Sequence, residues 1–185
     1  MVRRRFFATL IAMLTSVLVV HVGPSNANRK SSRGGCAGGS TVPVNDGMRL
    51  QATHSVLCLV NRLRASHGLR RVRVSSQLSD AASSHSTDMV HRKYFSHVSL
   101  GGDTLGRRVR RTGYIRTRRG CALSETLAWG VRASPATLVR SLMHSSGHRR
   151  ILLERRARDI GVGLSLGAPV GDVRSSSATL VLAFA

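Results

Sequence analysis

Apolar residues recur at helical spacing through the middle of this chain and alternate with small residues only near its end. The first helical pattern opens at Asp46, which can cap it, and runs to about His67, with Leu50, Leu57, Val60 (or Asn61) and Arg64 marking its inner face. Gly68 stops it. Ser75 or Ser76 caps a second helix, in which Leu78, Ala82, His85 and Met89 share one face through to about Arg92. Asp103 caps a short third helix that ends at Gly113. Ser134-Pro135 starts another, with proline in its first turn, carrying Leu138, Val139, Leu142 and Met143. Two strand patterns close the chain: residues 160–164, where glycine alternates with branched residues, and residues 178–184, a run of β-formers. Helices first and strands late, with no βαβ alternation, predict an α+β domain.

The beginning of the chain carries a different pattern. Met1-Val2-Arg3-Arg4-Arg5 is a positive leader, residues 6–20 are apolar apart from Thr9, Thr15 and Ser16, and Ser25-Asn26-Ala27 supplies a small-x-small cleavage pattern. Residues 1–27 are therefore expected to be a signal peptide, and the mature protein to be secreted or extracytoplasmic. An uncleaved anchor is the alternative, since residues 6–22 approach the length of a short spanning helix. Pro24 and the small residues after it favour cleavage. Residues 28–45 read as a flexible linker of Ser, Gly and basic residues, and residues 46–185 as one domain.

Export changes the meaning of the three cysteines, which then imply one disulfide and one leftover thiol. Cys36 lies in a flexible arm and Cys58 inside the first helix, a pair that bridges easily. Cys121 is the expected free thiol. Composition adds one more constraint: 29 basic against 8 acidic residues give a formal charge of +21. Such a charge favours anionic envelope polymers or lipids through a salt-sensitive attraction. The arginine runs lack aromatic interleaving and any helix-turn-helix or finger pattern, so nucleic acid is not an expected partner.

Three short runs carry the candidate chemistry: Phe95-Ser96-His97, Glu125-Thr126-Leu127-Ala128-Trp129-Gly130 and Ser145-Ser146-Gly147-His148-Arg149. Tyr94 and Phe95 can pack inward and turn His97 outward. Glu125 precedes an apolar stretch, where a carboxylate must find a donor or a metal or lose its charge. Ser145-Ser146-Gly147 can place His148 at a helix start. His85, three residues before Asp88 on the inner face of the second helix, reads as a structural hydrogen bond between helix and loop. Serines beside these residues also permit a nucleophilic relay, although no Gly-x-Ser-x-Gly elbow is present.

In order and spacing the three runs resemble the CAP superfamily, the secreted sperm-coating and pathogenesis-related proteins, in its short bacterial form. The resemblance covers about residues 57–184 and includes His85-Ser86-Thr87-Asp88-Met89. It implies an α-β-α sandwich with a small antiparallel sheet between helical layers. It also implies a cleft holding two histidines and two acids, able in some members to bind zinc or another divalent cation. His97, Glu125 and His148 fall on three of those positions, while no acid occurs between Trp129 and His148 for the fourth. Leu142, His144, Ser146 and Ile151 also depart from the family pattern around the second histidine. The expected function is a secreted domain whose His97, Glu125 and His148 cleft binds a ligand, with a metal, a lipid or a peptide as candidates. A metal-dependent cell-wall or peptide hydrolase and a non-catalytic interaction domain are the competing expectations.

Overall fold

The computed structural model of the protein describes residues 35–117, 120–171 and 174–184. The signal-peptide reading of residues 1–27, and the linker reading as far as residue 34, lie outside them.

Helix α1 (Asp46–Ser66) is capped by Asn45, whose side chain accepts from the Met48 amide at 3.0 Å. Asp46, expected as the cap, instead sits in the first turn and pairs with Arg49 at 2.8 Å. The inner face also differs from the sequence expectation. Ala52, Ser55, Val56, Val60, Asn61 and Arg64 are buried, while Leu50 is 57 % exposed. Small residues take the inner position where the N-terminal arm crosses the helix: Ser55 donates to the Ala37 carbonyl there. The arm itself is tied down by the Cys36–Cys58 disulfide, as expected, and by Ala136 N–H donating to Gly39 O at 2.8 Å. Cys121 is a free, half-buried thiol.

Strand β1 (Arg73–Val74) leads into helix α2 (Ser76–His91), capped by Ser75 and burying Leu78, Ala82, His85 and Met89. Helix α3 (Leu105–Arg111) is capped by Thr104 rather than Asp103. Asp103 contributes its carbonyl to Arg108 and its carboxylate to Arg111. Helix α4 (Tyr114–Thr117) follows, then strand β2 (Ala122–Val131), helix α5 (Pro135–His144), helix α6 (Ser146–Leu152) and strands β3 (Ala157–Leu166) and β4 (Ser175–Phe184). The hydrophobic pattern did not predict β2, nor the short β1 and α4. The burial of β2 does not alternate cleanly, because Glu125 and Thr126 are buried beside Leu127 and Ala128.

The sheet order is β1-β3-β4-β2. β2, β3 and β4 form the antiparallel part, and the two-residue β1 adds parallel to β3. Side chains on successive residues of a strand leave opposite faces. Ala178, Leu180 and Leu182 of β4 therefore join α1, α5 and Leu152 in one core, while Val181 and Ala183 join α2, Val109 and Tyr114 in the other. This is the α-β-α sandwich of the α+β class.

The alternating glycines of β3 explain how close the second layer lies. A Cβ on Gly161 would stand 2.2 Å from the Leu78 backbone, and one on Gly163 would stand 2.2 Å from the Ala82 backbone. The backbone of α2 thus rests directly on that of β3. Serines complete the contact, with Ser86 Oγ donating to Thr179 Oγ1 at 2.8 Å and Val162 N–H donating to Ser79 Oγ at 3.3 Å.

Candidate functional site

β2 is an edge strand, and Glu125 projects from it into the α2–α3 layer, on the face shared with its register partner Val181. Its side chain is only 3 % exposed. An ionised carboxylate at that depth needs strong donors, and it has two. Arg108 of α3, equally buried, gives Nη2–H to Oε2 at 2.7 Å. His97 gives Nδ1–H to Oε1 at 2.9 Å. Arg108 was not singled out among the arginine runs of the sequence. The Leu105, Arg108, Val109 spacing is the signal that places Arg108 on the inward stripe of a short helix.

Arg108 also fixes the loop that carries His97. Its Nη1 donates to the His97 carbonyl at 3.1 Å and to the Asp103 carbonyl at 2.8 Å. The His97 ring is thereby held from both ends, its backbone by the guanidinium and its Nδ1 by the carboxylate. The ring itself is 57 % exposed. Because the carboxylate can only accept, neutral His97 keeps its proton on Nδ1, and Nε2 carries the free lone pair. Phe95, expected to pack inward, is 41 % exposed. Tyr94 alone does the anchoring, in a small cluster with Met89 and Leu127 and with its hydroxyl on Asp88.

His148 lies in the first turn of α6, half-buried. Burial, and then the nearby charge of His97, hold its pKa below the usual histidine value. His97 and His148 are thus electrostatic neighbours, although they are remote in sequence. His85 is the supporting imidazole on the inner side. Its Nε2–H donates to the Ser96 carbonyl at 2.9 Å, bracing the residue before His97 as the sequence suggested. Burial, and then the Arg108 charge, keep its pKa low.

Among the described residues, no group of three His, Cys, Asp or Glu side chains is placed to hold a metal ion. Both oxygens of Glu125 are engaged, one by a full positive charge. The residues present therefore do not fit an ion held jointly by His97, Glu125 and His148. The carboxylate oxygen Oε1 orients the His97 ring through Nδ1.

The sequence matches the CAP family, described as the cysteine-rich secretory protein family, over residues 57–181. The chain belongs to the CAP family. Two curated relatives, both of Bacillus subtilis (strain 168), are similar to this CAP domain. One is the uncharacterized membrane protein YlbC, 32 % identical over 109 residues that span 59 % of this chain and 30 % of the relative. The other is the uncharacterized protein YkwD, 31 % identical over 108 residues that span 58 % of this chain and 40 % of the relative. The chain thus spans well under half the length of either. A crystal structure of an extracellular protein containing a SCP domain from Bacillus anthracis str. Ames shares 26 % identity at a TM-score of 0.62, covering 77 % of this chain and 45 % of that one. An outer surface protein of Borrelia burgdorferi, at 16 % identity and a TM-score of 0.61, shares the fold over 72 % of this chain and 92 % of its own.

Proposed function

We propose that this CAP domain works outside the cytoplasm as a non-catalytic binding domain. Its binding group is the exposed imidazole of His97 with His148 beside it, and its ligand is an anionic, hydroxyl-bearing polymer of the cell envelope. One observation carries the reading: a half-exposed histidine is locked through Nδ1 by a buried carboxylate–guanidinium pair, which leaves Nε2 outside that bond. A ring fixed in this way binds a hydroxyl or amide donor without losing rotamer freedom on binding. The flanking helices supply charge, since Arg107, Arg110 and Arg111 of α3 and Arg149 and Arg150 of α6 are exposed. The export signal read at residues 1–27 supports the location, as does the extracellular placement in the name of the Bacillus anthracis protein.

A histidine hydrogen-bonded to a carboxylate is also the arrangement of a general base. Here the negative charge of Glu125 is already matched by Arg108, so it stabilises a developing imidazolium less than an unshared carboxylate would. That balance favours binding over hydrolysis. Polyglycerol phosphate is a suitable probe, because it combines phosphate charge with hydroxyl donors. Calorimetric titration should give saturable binding that weakens as salt rises and falls at least tenfold in His97→Ala with the fold unchanged. Equal binding by wild type and His97→Ala, or turnover of a wall substrate that depends on His97, would overturn the proposal. Zinc titrated alone serves as the control for an ion on the two imidazoles.

A further inference from the structure

At the far end of β2, roughly 20 Å along the strand from Glu125, the chain forms a concavity of about 780 Å³. Its apolar wall is Val42, Pro43 and Val44 of the N-terminal arm together with Leu166 at the end of β3 and Ala168 beyond it. Its other wall is basic: Lys93, Arg132 and Arg174. None of the His97, Glu125 or His148 side chains reaches it.

Arg132 and Arg174 make this more than a basic surface. They follow and precede the last registered pair of the β2–β4 ladder, Val131 with Ser175, and Arg132 N–H donates to the Arg174 carbonyl at 3.0 Å. Two arginines are thus paired through their backbones at the end of a ladder, and both line the same concavity, where like charges repel. No carboxylate stands among the described lining residues, and Asp172 lies outside the described residues. Arg132 also adopts a left-handed backbone, with φ of 48°, and so does Lys93, with φ of 55°. These are the positive-φ non-glycine residues of the described chain, and both line this one concavity. Such strain gathers where a side chain must be aimed. Ser175, also in the lining, has a buried hydroxyl with no hydrogen-bond partner among the described residues.

We infer that this concavity is a second ligand site, separate from His97, for a small amphiphilic anion. The acid group, a phosphate or carboxylate, is clamped by Arg132 and Arg174 with the Ser175 hydroxyl as a further donor. The apolar body lies along Val44, Leu166 and Ala168. Planar guanidiniums favour such oxyanions through paired N–H donors. A volume of this size suits a ligand of drug-like dimensions.

Octyl phosphate below its micellar concentration is the probe for calorimetric titration. Inorganic phosphate and 1-octanol carry the two halves of its chemistry separately. The site predicts one saturable octyl phosphate site in the wild-type protein and at least tenfold weaker binding in Arg132→Gln with Arg174→Gln. Arg70→Gln with Arg71→Gln removes the same charge from an exposed stretch elsewhere and should bind as wild type, as should His97→Ala. Val44→Ser should weaken octyl phosphate while leaving inorganic phosphate unchanged. Equal losses in the two arginine pairs would overturn the inference, because attraction would then be only the net charge. Inorganic phosphate or octanol binding as tightly as octyl phosphate would overturn it too.

Discussion

Replacing Glu125 by Gln tests the core of the site, because it keeps the shape of the side chain and removes only its charge. In the folded protein Arg108 and Glu125 are both 3 % exposed and meet at 2.7 Å. Removing one partner of a buried ion pair costs about 3–5 kcal/mol, because the other charge is left uncompensated. Arg108 keeps its bonds to the His97 and Asp103 carbonyls, so the lower end applies, about 3 kcal/mol. For a domain of this size that is a fall of roughly 10 °C in Tm. The amide has a second effect. Its oxygen stays with Arg108, its NH2 turns to His97 Nδ1, and the imidazole must then accept there and carry its proton on Nε2. Urea denaturation followed by circular dichroism measures the first effect. The double variant Arg108→Met with Glu125→Leu removes both charges and should lie closer to wild type than either single change. A loss below about 1 kcal/mol in Glu125→Gln, or single losses that simply add in the double variant, would refute the buried-pair account.

Gly163→Ala should destabilise by about 3 kcal/mol or more, since the new Cβ would stand 2.2 Å from the Ala82 backbone; urea unfolding with a loss under about 1 kcal/mol would contradict the direct contact of α2 with β3. Reducing Cys36–Cys58, which are 22 residues apart, should cost about 3 kcal/mol in the chain-entropy model, read as a lower urea midpoint in reductant. His85 and His148 have folded pKa values below the unfolded value of about 6.5, so the unfolded chain binds protons first as pH falls. Their contribution to stability is complete above about pH 6.5 and is lost as pH drops through the folded values. Thermal melts of His85→Gln should show a shallower decline than wild type below pH 6.5, and an unchanged slope would exclude His85 as a source.

Much of this architecture was legible because one pattern dominated each element. Ser134-Pro135 and the Leu138, Val139, Leu142 stripe predict α5, and Leu78, Ala82, His85 and Met89 predict the buried face of α2. Ile-Gly-Val-Gly-Leu reads as a strand, but the reason for its glycines is tertiary: the helix backbone they admit is 77 or more residues away from some of its contacts. β2 was illegible as a strand because the buried Glu125 interrupts its hydrophobic alternation, and a carboxylate looks polar until Arg108 is known to meet it. Asn45 and Thr104 displaced the expected acidic caps by one residue, a shift that local composition could not decide. Leu50 misled for a similar reason, since the disulfide-tethered arm settles which face of α1 turns inward. In the site, His97, Glu125 and His148 were visible as types in context, whereas Arg108 was hidden among many arginines.

The His97 ring carries the central claim, and nitrogen-15 NMR of its side chain at pH 7.5, with and without polyglycerol phosphate, tests that claim most directly. The account predicts a proton on Nδ1 held by Glu125, with Nε2 and the His148 resonances moving saturably as the polymer is added, and those of exposed His54 staying in place. A ring protonated on Nε2 alone, or polymer binding that leaves His97 and His148 unmoved, would contradict it.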